Sequence, residues 1–221
     1  MKKNITIAII ILVVLGFGYF LFKISPQPNG QKDEFDLSKV QAVSEPRPVE
    51  ASDHVQGERS AKNTFIVYED FQCPACAYAH QNITSKVVAE FKDTKLVFRH
   101  FPLLGLHQNA VVAAYASEAA AAQGKFWEMA DILYGRQGEW SNLTDPLPKF
   151  LEFVQAIKVG NLDQFESDSA DKKYKDKIEK DLLEALGLGI QGTPTYYFNG
   201  QRLENGDLTS LKQQAEKFYK Q

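Results

Sequence analysis

Apolar positions along the chain fall into three regimes. From Ile5 to Phe22 (ITIAIIILVVLGFGYFLF) eighteen consecutive positions carry no charge. At about 1.5 Å per residue, a helix of that length spans roughly 27 Å, enough for a bilayer core. From Ser25 to about Gly57 apolar positions are sparse, and Pro26, Pro28, Pro46 and Pro48 forbid a long helix. Beyond Gly57, short β-branched and aromatic runs alternate with stretches of helical period, the pattern of a folded domain.

Within that domain, Thr64–Tyr68 (TFIVY) predicts a buried strand. Ile83, Val87, Val88 and Phe91 then fall at helical spacing, which predicts one helix from about Pro74 to Phe91. Lys95–Phe101 (KLVFRHF) predicts a second strand, ended by Pro102. Ala110–Ala122 is alanine-rich, the strongest helix-forming composition in the chain. Phe126–Tyr134, Leu147–Ile157, Leu162–Ser167 and Tyr174–Leu186 predict four further helices. Thr195–Phe198, Asn199-Gly200 and Gln201–Glu204 read as a hairpin whose type I′ turn needs two positive φ values. Asp207 can cap a last helix striped by Leu208, Leu211, Ala215 and Phe218. Strand, helix, strand, helical block, hairpin, helix is the order of an α/β sandwich with a helical insertion at about 104–188.

Charge and composition narrow the setting. Lys2 and Lys3 precede the apolar run and favour a cytoplasmic N-terminus, against the weaker opposing bias of Lys23. A cleaved signal peptide would end in small residues, whereas this run ends in Tyr19, Phe20, Leu21 and Phe22. The expected organisation is therefore a transmembrane anchor over 1–24, a flexible linker over 25–56 and a folded domain over 57–221. The catalytic domain is expected outside the cytoplasm, on a single-pass chain held in the membrane by residues 5–22. Hydrophobic residues make up 44% and the formal net charge is -3, so a core is supported and no basic nucleic-acid face is implied.

Only two cysteines occur, in Cys73-Pro74-Ala75-Cys76. As a structural staple they would close a four-residue loop, worth roughly 2 kcal/mol against about 4.7 for a hundred-residue loop. Placed between the first strand and its helix they gain a different meaning. Proline is favoured at the first helical position, which makes Cys73 the N-cap. Its sulfur would face unpaired amides and the positive end of the helix dipole, both of which favour thiolate. Cys76 would lie one turn inside, placed to attack a mixed disulfide at Cys73 and release the partner. Zinc would need two more ligands from His54, His80, His100 and His107, and although Cys76 and His80 share a helix face, no paired motif exists, so no metal is expected. Ala77 after Cys76 excludes haem attachment. Glu69 and Asp70, just before the motif, read either as a proton shuttle for Cys76 or as a solvated strand end. Arg99 and His100 alternate across the second strand, so one of them is expected to face inward, in a salt-bridge or core role.

A second signal is Gly192-Thr193-Pro194-Thr195, a proline set immediately before a strand. Together with Tyr68–Cys76 and Phe98-Arg99-His100-Phe101-Pro102-Leu103, it makes the chain resemble the DsbA-like branch of the thioredoxin superfamily, and its membrane-anchored members in particular. The resemblance covers about Gly57 to the end. It implies a thioredoxin fold, Cys73 as attacking and Cys76 as resolving cysteine, and a cis bond before Pro194. It implies that backbone at Thr193 pairs with an extended substrate segment, and that the helical block caps the active-site side of the sheet. Many thiol oxidases of this branch carry histidine between the cysteines; Ala75 departs from that pattern and can neither hydrogen-bond nor carry charge.

The leading expectation is a protein disulfide oxidoreductase that oxidises dithiols in exported proteins. A quinone-linked membrane oxidase of the DsbB or VKOR type would re-oxidise it, and no cofactor is expected. A reductase or isomerase could use the same sulfurs. Isomerases of the superfamily are dimers with a dedicated region, and segment 25–56 is too short and polar to be one, so a monomer is expected. A non-catalytic binding module would have no need of Cys73, Cys76 and Pro194 together.

Overall fold

The structure, a computed structural model, describes residues 34–219; the expected anchor over 1–24 lies outside them. Among the described residues no helix is long and apolar enough to cross a membrane. Five strands form one sheet: β1 (His54–Gln56), β2 (Asn63–Glu69), β3 (Thr94–His100), β4 (Thr195–Phe198) and β5 (Gln201–Leu203). Their order is β1-β3-β2-β4-β5, with β2 and β3 parallel and every other pair antiparallel.

Both faces of the sheet are covered. Along β2, Phe65 and Val67 enter one core while Ile66 and Tyr68 enter the other, as the two-residue period of a strand requires. The first face packs on α1 (Pro74–Asn82), α2 (Val87–Glu90) and α8 (Leu208–Ala215). It is closed by α3 (Ala110–Ala121), α4 (Phe126–Gly135), α5 (Leu147–Ala156) and α6 (Leu162–Ala170). The second face is closed by α7 (Lys175–Gly187) and by the side of α3 that carries Val111, Ala114 and Tyr115. This is the expected thioredoxin fold with a helical insertion. The hairpin turn has the expected conformation, with φ of 48° at Asn199 and 84° at Gly200.

Three expectations are corrected. The helix from Pro74 does not run to Phe91. It stops at Asn82, Ile83 takes φ -128°, a 3-10 turn covers Thr84–Lys86, and α2 follows. Thr84 is fully buried there, and its hydroxyl is held by Glu69 rather than by a helical carbonyl. Arg99 and His100 are both buried, because strand alternation sends them to opposite cores of a sheet covered on each side.

The segment read as linker is a strap over residues 34–56. Phe35 is buried in the second core, and His54–Gln56 pairs with β3 as an edge strand. Arg47 sits among Asp53, Asp181 and Glu184, with its Nη2 2.6 Å from Asp181 and 3.0 Å from Asp53. Few apolar residues are needed to hold such a strap when one half-buried arginine and one strand are paired.

Candidate active site

The site is built where β2 runs into α1. Cys73 has the extended backbone of an N-cap, with φ -72° and ψ 121°, and Pro74 takes the first helical position. Its amide donates to the Asp70 carbonyl at 3.1 Å, closing the turn that presents the sulfur. Gln137, from the 3-10 turn after α4, donates to the carbonyls of Phe71 (2.8 Å) and Cys73 (3.1 Å). The inserted block therefore grips the turn on which Cys73 stands.

Both cysteines are free thiols. Cys73 keeps 7% of its surface and Cys76 none, while Pro74 and Ala75 between them are exposed. The order of access is the expected one, although Cys73 is more recessed than an exposed cap. The Thr193–Pro194 bond is cis, and the Thr193 carbonyl oxygen lies 3.5 Å from the Cys73 sulfur. The fold thus brings together Cys73, Cys76, Thr193 and Pro194 from the two ends of the domain.

The two sulfurs are electrostatically unlike. A hydrogen bond from the Cys76 thiol lowers the Cys73 pKa to about 5, against burial, with help from Thr193 and from the amides of Ala75 and Cys76. Cys76 is pushed well above the usual thiol range by burial, by its donation to Cys73 and by the nearby charge of Glu69. Charge is therefore concentrated on Cys73 and excluded from Cys76, without any side chain from Ala75.

Glu69 and Asp70 part company. Glu69, at the end of β2, is 1% exposed, so the solvated strand end is excluded. Its oxygens accept from the hydroxyls of Thr84 and Tyr134, each at 2.9 Å. Burial raises its pKa to about 7, against the opposing influence of His80 and these two hydroxyls. Asp70 is equally buried, but its carboxylate is occupied by the amides of Gln72 (2.7 Å) and Leu103 (2.8 Å) and by His107 Nδ1 (2.7 Å). It ties the cysteine turn to the loop after β3. Thr84, Tyr134, Gln137 and His107 carry no signature in their spacing; only the folded insertion and the broken helix bring them here.

His54, His100 and Glu118 are the one group of three possible metal ligands among the described residues. Glu118 Oε1 accepts from Nε2 of each ring at 2.8 Å. Burial works to raise the Glu118 pKa, yet these two bonds hold it well below the carboxylate range, while burial lowers that of His100. The group clasps β1 and β3 to the inserted block.

Fold and site together define a thioredoxin-fold protein with an asymmetric cysteine pair at a helix N-terminus, facing a cis-proline loop. The chain belongs to the thioredoxin family: residues 50–217 match the family described as Thioredoxin. Among solved structures, BdbD from Bacillus subtilis superposes with a TM-score of 0.69 at 22% identity, covering 80% of this chain and 98% of that one. Alpha-DsbA1 from Wolbachia pipientis gives 0.65 at 23% identity over 77% and 92% of the two chains. Curated relatives include proteins named Na(+)/H(+) antiporter NhaA 1. That of Salinispora arenicola is 37% identical over 68% of this chain and 22% of its own length. That of Mycolicibacterium vanbaalenii is 37% identical over 84% and 28%. The chain thus spans about a quarter of the length of these relatives.

Proposed function

We propose that this protein is a disulfide oxidoreductase that oxidises dithiols in exported proteins through Cys73 and Cys76. The observation that carries this reading is the asymmetry of the pair. A Cys73 thiolate, stabilised near pKa 5 at a helix N-terminus, favours the reduced protein and so makes its disulfide a good electron acceptor.

In the proposed cycle a substrate thiolate attacks the Cys73 sulfur of the enzyme disulfide. The Cys73–Cys76 bond breaks, Cys76 leaves, and Glu69 returns a proton to it. The substrate's second thiolate then attacks the mixed disulfide, its own disulfide forms, and Cys73 leaves as thiolate. The cis-proline loop holds the partner: the backbone at Thr193 pairs with its extended chain while Pro194 packs beside the sulfurs. Glu69 is the proton shuttle, because Asp70 is already engaged by the turn.

A quinone-linked membrane oxidase of the DsbB or VKOR type would re-oxidise the pair. The apolar run at 5–22, with Lys2 and Lys3 before it, supports a single-pass anchor with the domain outside the cytoplasm, acting as a monomer. A protease added to intact spheroplasts should then degrade the domain; survival until lysis contradicts this orientation.

Equilibration of the purified protein with glutathione buffers tests the direction. An oxidase gives a midpoint well above that of thioredoxin, about -270 mV, toward that of strong oxidants, about -120 mV. A thioredoxin-like midpoint would make the protein a reductase.

A further inference from the structure

The buried acid beside Cys76 has a supply problem. Glu69 is 1% exposed and Cys76 fully buried, so a proton moved between them has no direct contact with water. Both hydroxyls on Glu69 are buried as well, and burial pushes the Tyr134 pKa far above its usual value, so it cannot serve as an ionising sink. A group that can both accept and donate a proton must stand between Glu69 and solvent.

His80 occupies that place. It lies one turn after Cys76 on the same face of α1, and it is 5% exposed. Its Nε2 is 2.7 Å from Oδ1 of Asp131 on α4, whose side chain is 69% exposed. A carboxylate only accepts, so Nε2 carries the hydrogen and the neutral ring leaves Nδ1 as an acceptor. Nδ1 is buried and without a hydrogen-bond partner. The ring lies 4.8 Å from that of Tyr134, whose hydroxyl holds Glu69. A positive charge on this ring favours the ionised Glu69 carboxyl, so the two groups lie within electrostatic reach of each other. A buried acceptor nitrogen left unpaired costs about 1–3 kcal/mol. A purely structural role would not select that arrangement, since a non-titrating donor could hold Asp131 equally well.

We propose that His80 and Asp131 form a proton conduit that joins the buried carboxyl of Glu69 to solvent. Neither residue touches a sulfur, and both act through Glu69. This rests on Glu69 being the proton shuttle of Cys76. When the enzyme is re-oxidised, the Cys76 proton passes to Glu69 and the Cys76 sulfur attacks the mixed disulfide at Cys73. The bond to the partner breaks, and the partner leaves as thiolate. Glu69 then gives its proton to His80 Nδ1 through one bridging water, and Nε2 releases its own to Asp131 and bulk. When a substrate later opens the disulfide, the same path runs backwards and reprotonates Cys76. One exit and one uptake per cycle return the imidazole to its starting tautomer, and no further reactant is needed.

The test is turnover of the full-length protein between dithiothreitol and oxidised glutathione, in H2O and in D2O. His80→Gln should lower turnover by at least about tenfold and enlarge the solvent isotope effect. Asp131→Asn, at a side chain that is 69% exposed, should share the effect in smaller measure. Added imidazole should restore turnover in His80→Ala. The rate of Cys73 alkylation should stay at the wild-type value in all three. Wild-type turnover and isotope effect in both His80→Gln and Asp131→Asn would overturn the conduit, as would a loss in His80→Ala that imidazole does not restore. Glu69→Gln separates the two layers. If it is slow while the His80 and Asp131 variants are not, only the conduit fails; if it turns over like wild type, the Glu69 reading fails and takes the conduit with it.

Discussion

The carbonyl oxygen of Thr193 lies 3.5 Å from the sulfur of Cys73, across 120 residues of sequence. A partner joined to that sulfur must therefore lie along the cis-proline loop. In the reduced protein the Cys73 thiol donates to that carbonyl, so sulfur and loop are in direct contact.

The sulfurs should divide their labour accordingly. Cys76→Ala should accumulate reducible, high-mass mixed disulfides with exported proteins on non-reducing gels. Cys73→Ala should give few or none, since Cys76 is fully buried and its thiol is held protonated. Replacing Pro194 should slow release of trapped partners. Equal trapping by the two cysteine variants would reverse the assignment.

The redox states should exchange order of stability with pH. A Cys73 pKa of about 5 lies below the ordinary thiol value of about 8.5. The stabilisation of the reduced protein is therefore complete above the unfolded value and is lost as pH falls toward 5. At pH 7 it amounts to about 2.7 kcal/mol. The disulfide, closing a four-residue loop, contributes roughly 2 kcal/mol in the other direction. The reduced form should lead by about 1 kcal/mol at pH 7 and fall behind below about pH 6.4. Denaturant unfolding of both forms from pH 5 to 8.5 measures the crossing, and an oxidised form that is more stable throughout would favour a reductase.

Resolution of a mixed disulfide by Cys76 should follow the ionisation of Glu69. The base form exists above its pKa of about 7, so the wild-type rate should rise with pH through that value. Glu69→Gln keeps an oxygen for the Thr84 and Tyr134 hydroxyls but cannot take a proton. It should slow resolution by about a hundredfold and abolish the inflection near 7. Stopped-flow measurement of the second phase after mixing with oxidised glutathione reads both.

The cysteine turn was legible because Pro74 after Cys73 specifies a helix N-cap locally, and strand alternation and helical period placed most elements within a few residues. The Gly192–Thr195 segment gained its meaning only beside the cysteine motif. What escaped depends on tertiary neighbours. Nothing in the spacing of Thr84 or Tyr134 ties either to Glu69, 15 and 65 residues away. Composition misread residues 34–56 as linker, because hydropathy counts a buried ion pair as polar surface.

That ion pair gives the last prediction. Arg47 and Arg99 share Asp53 and Glu184, while Arg47 and Lys177 share Asp181. Three cations thus face three acids in a place where Arg99, Asp53 and Asp181 have no exposed side-chain surface. Arg47→Ala leaves one buried acid without its share of positive charge, which costs about 3–5 kcal/mol. At about 2–4 °C per kcal/mol for a domain of this size, the melting temperature should fall by about 10 °C. The network lies on the Tyr68 face of the sheet, whereas Cys73 and Cys76 pack in the opposite core. At 25 °C, therefore, Cys73 alkylation and glutathione exchange should keep their wild-type rates while calorimetry records the loss. An unchanged melting temperature would mean that the strap rests on β1 and Phe35 alone, and that Arg47 contributes no net stability.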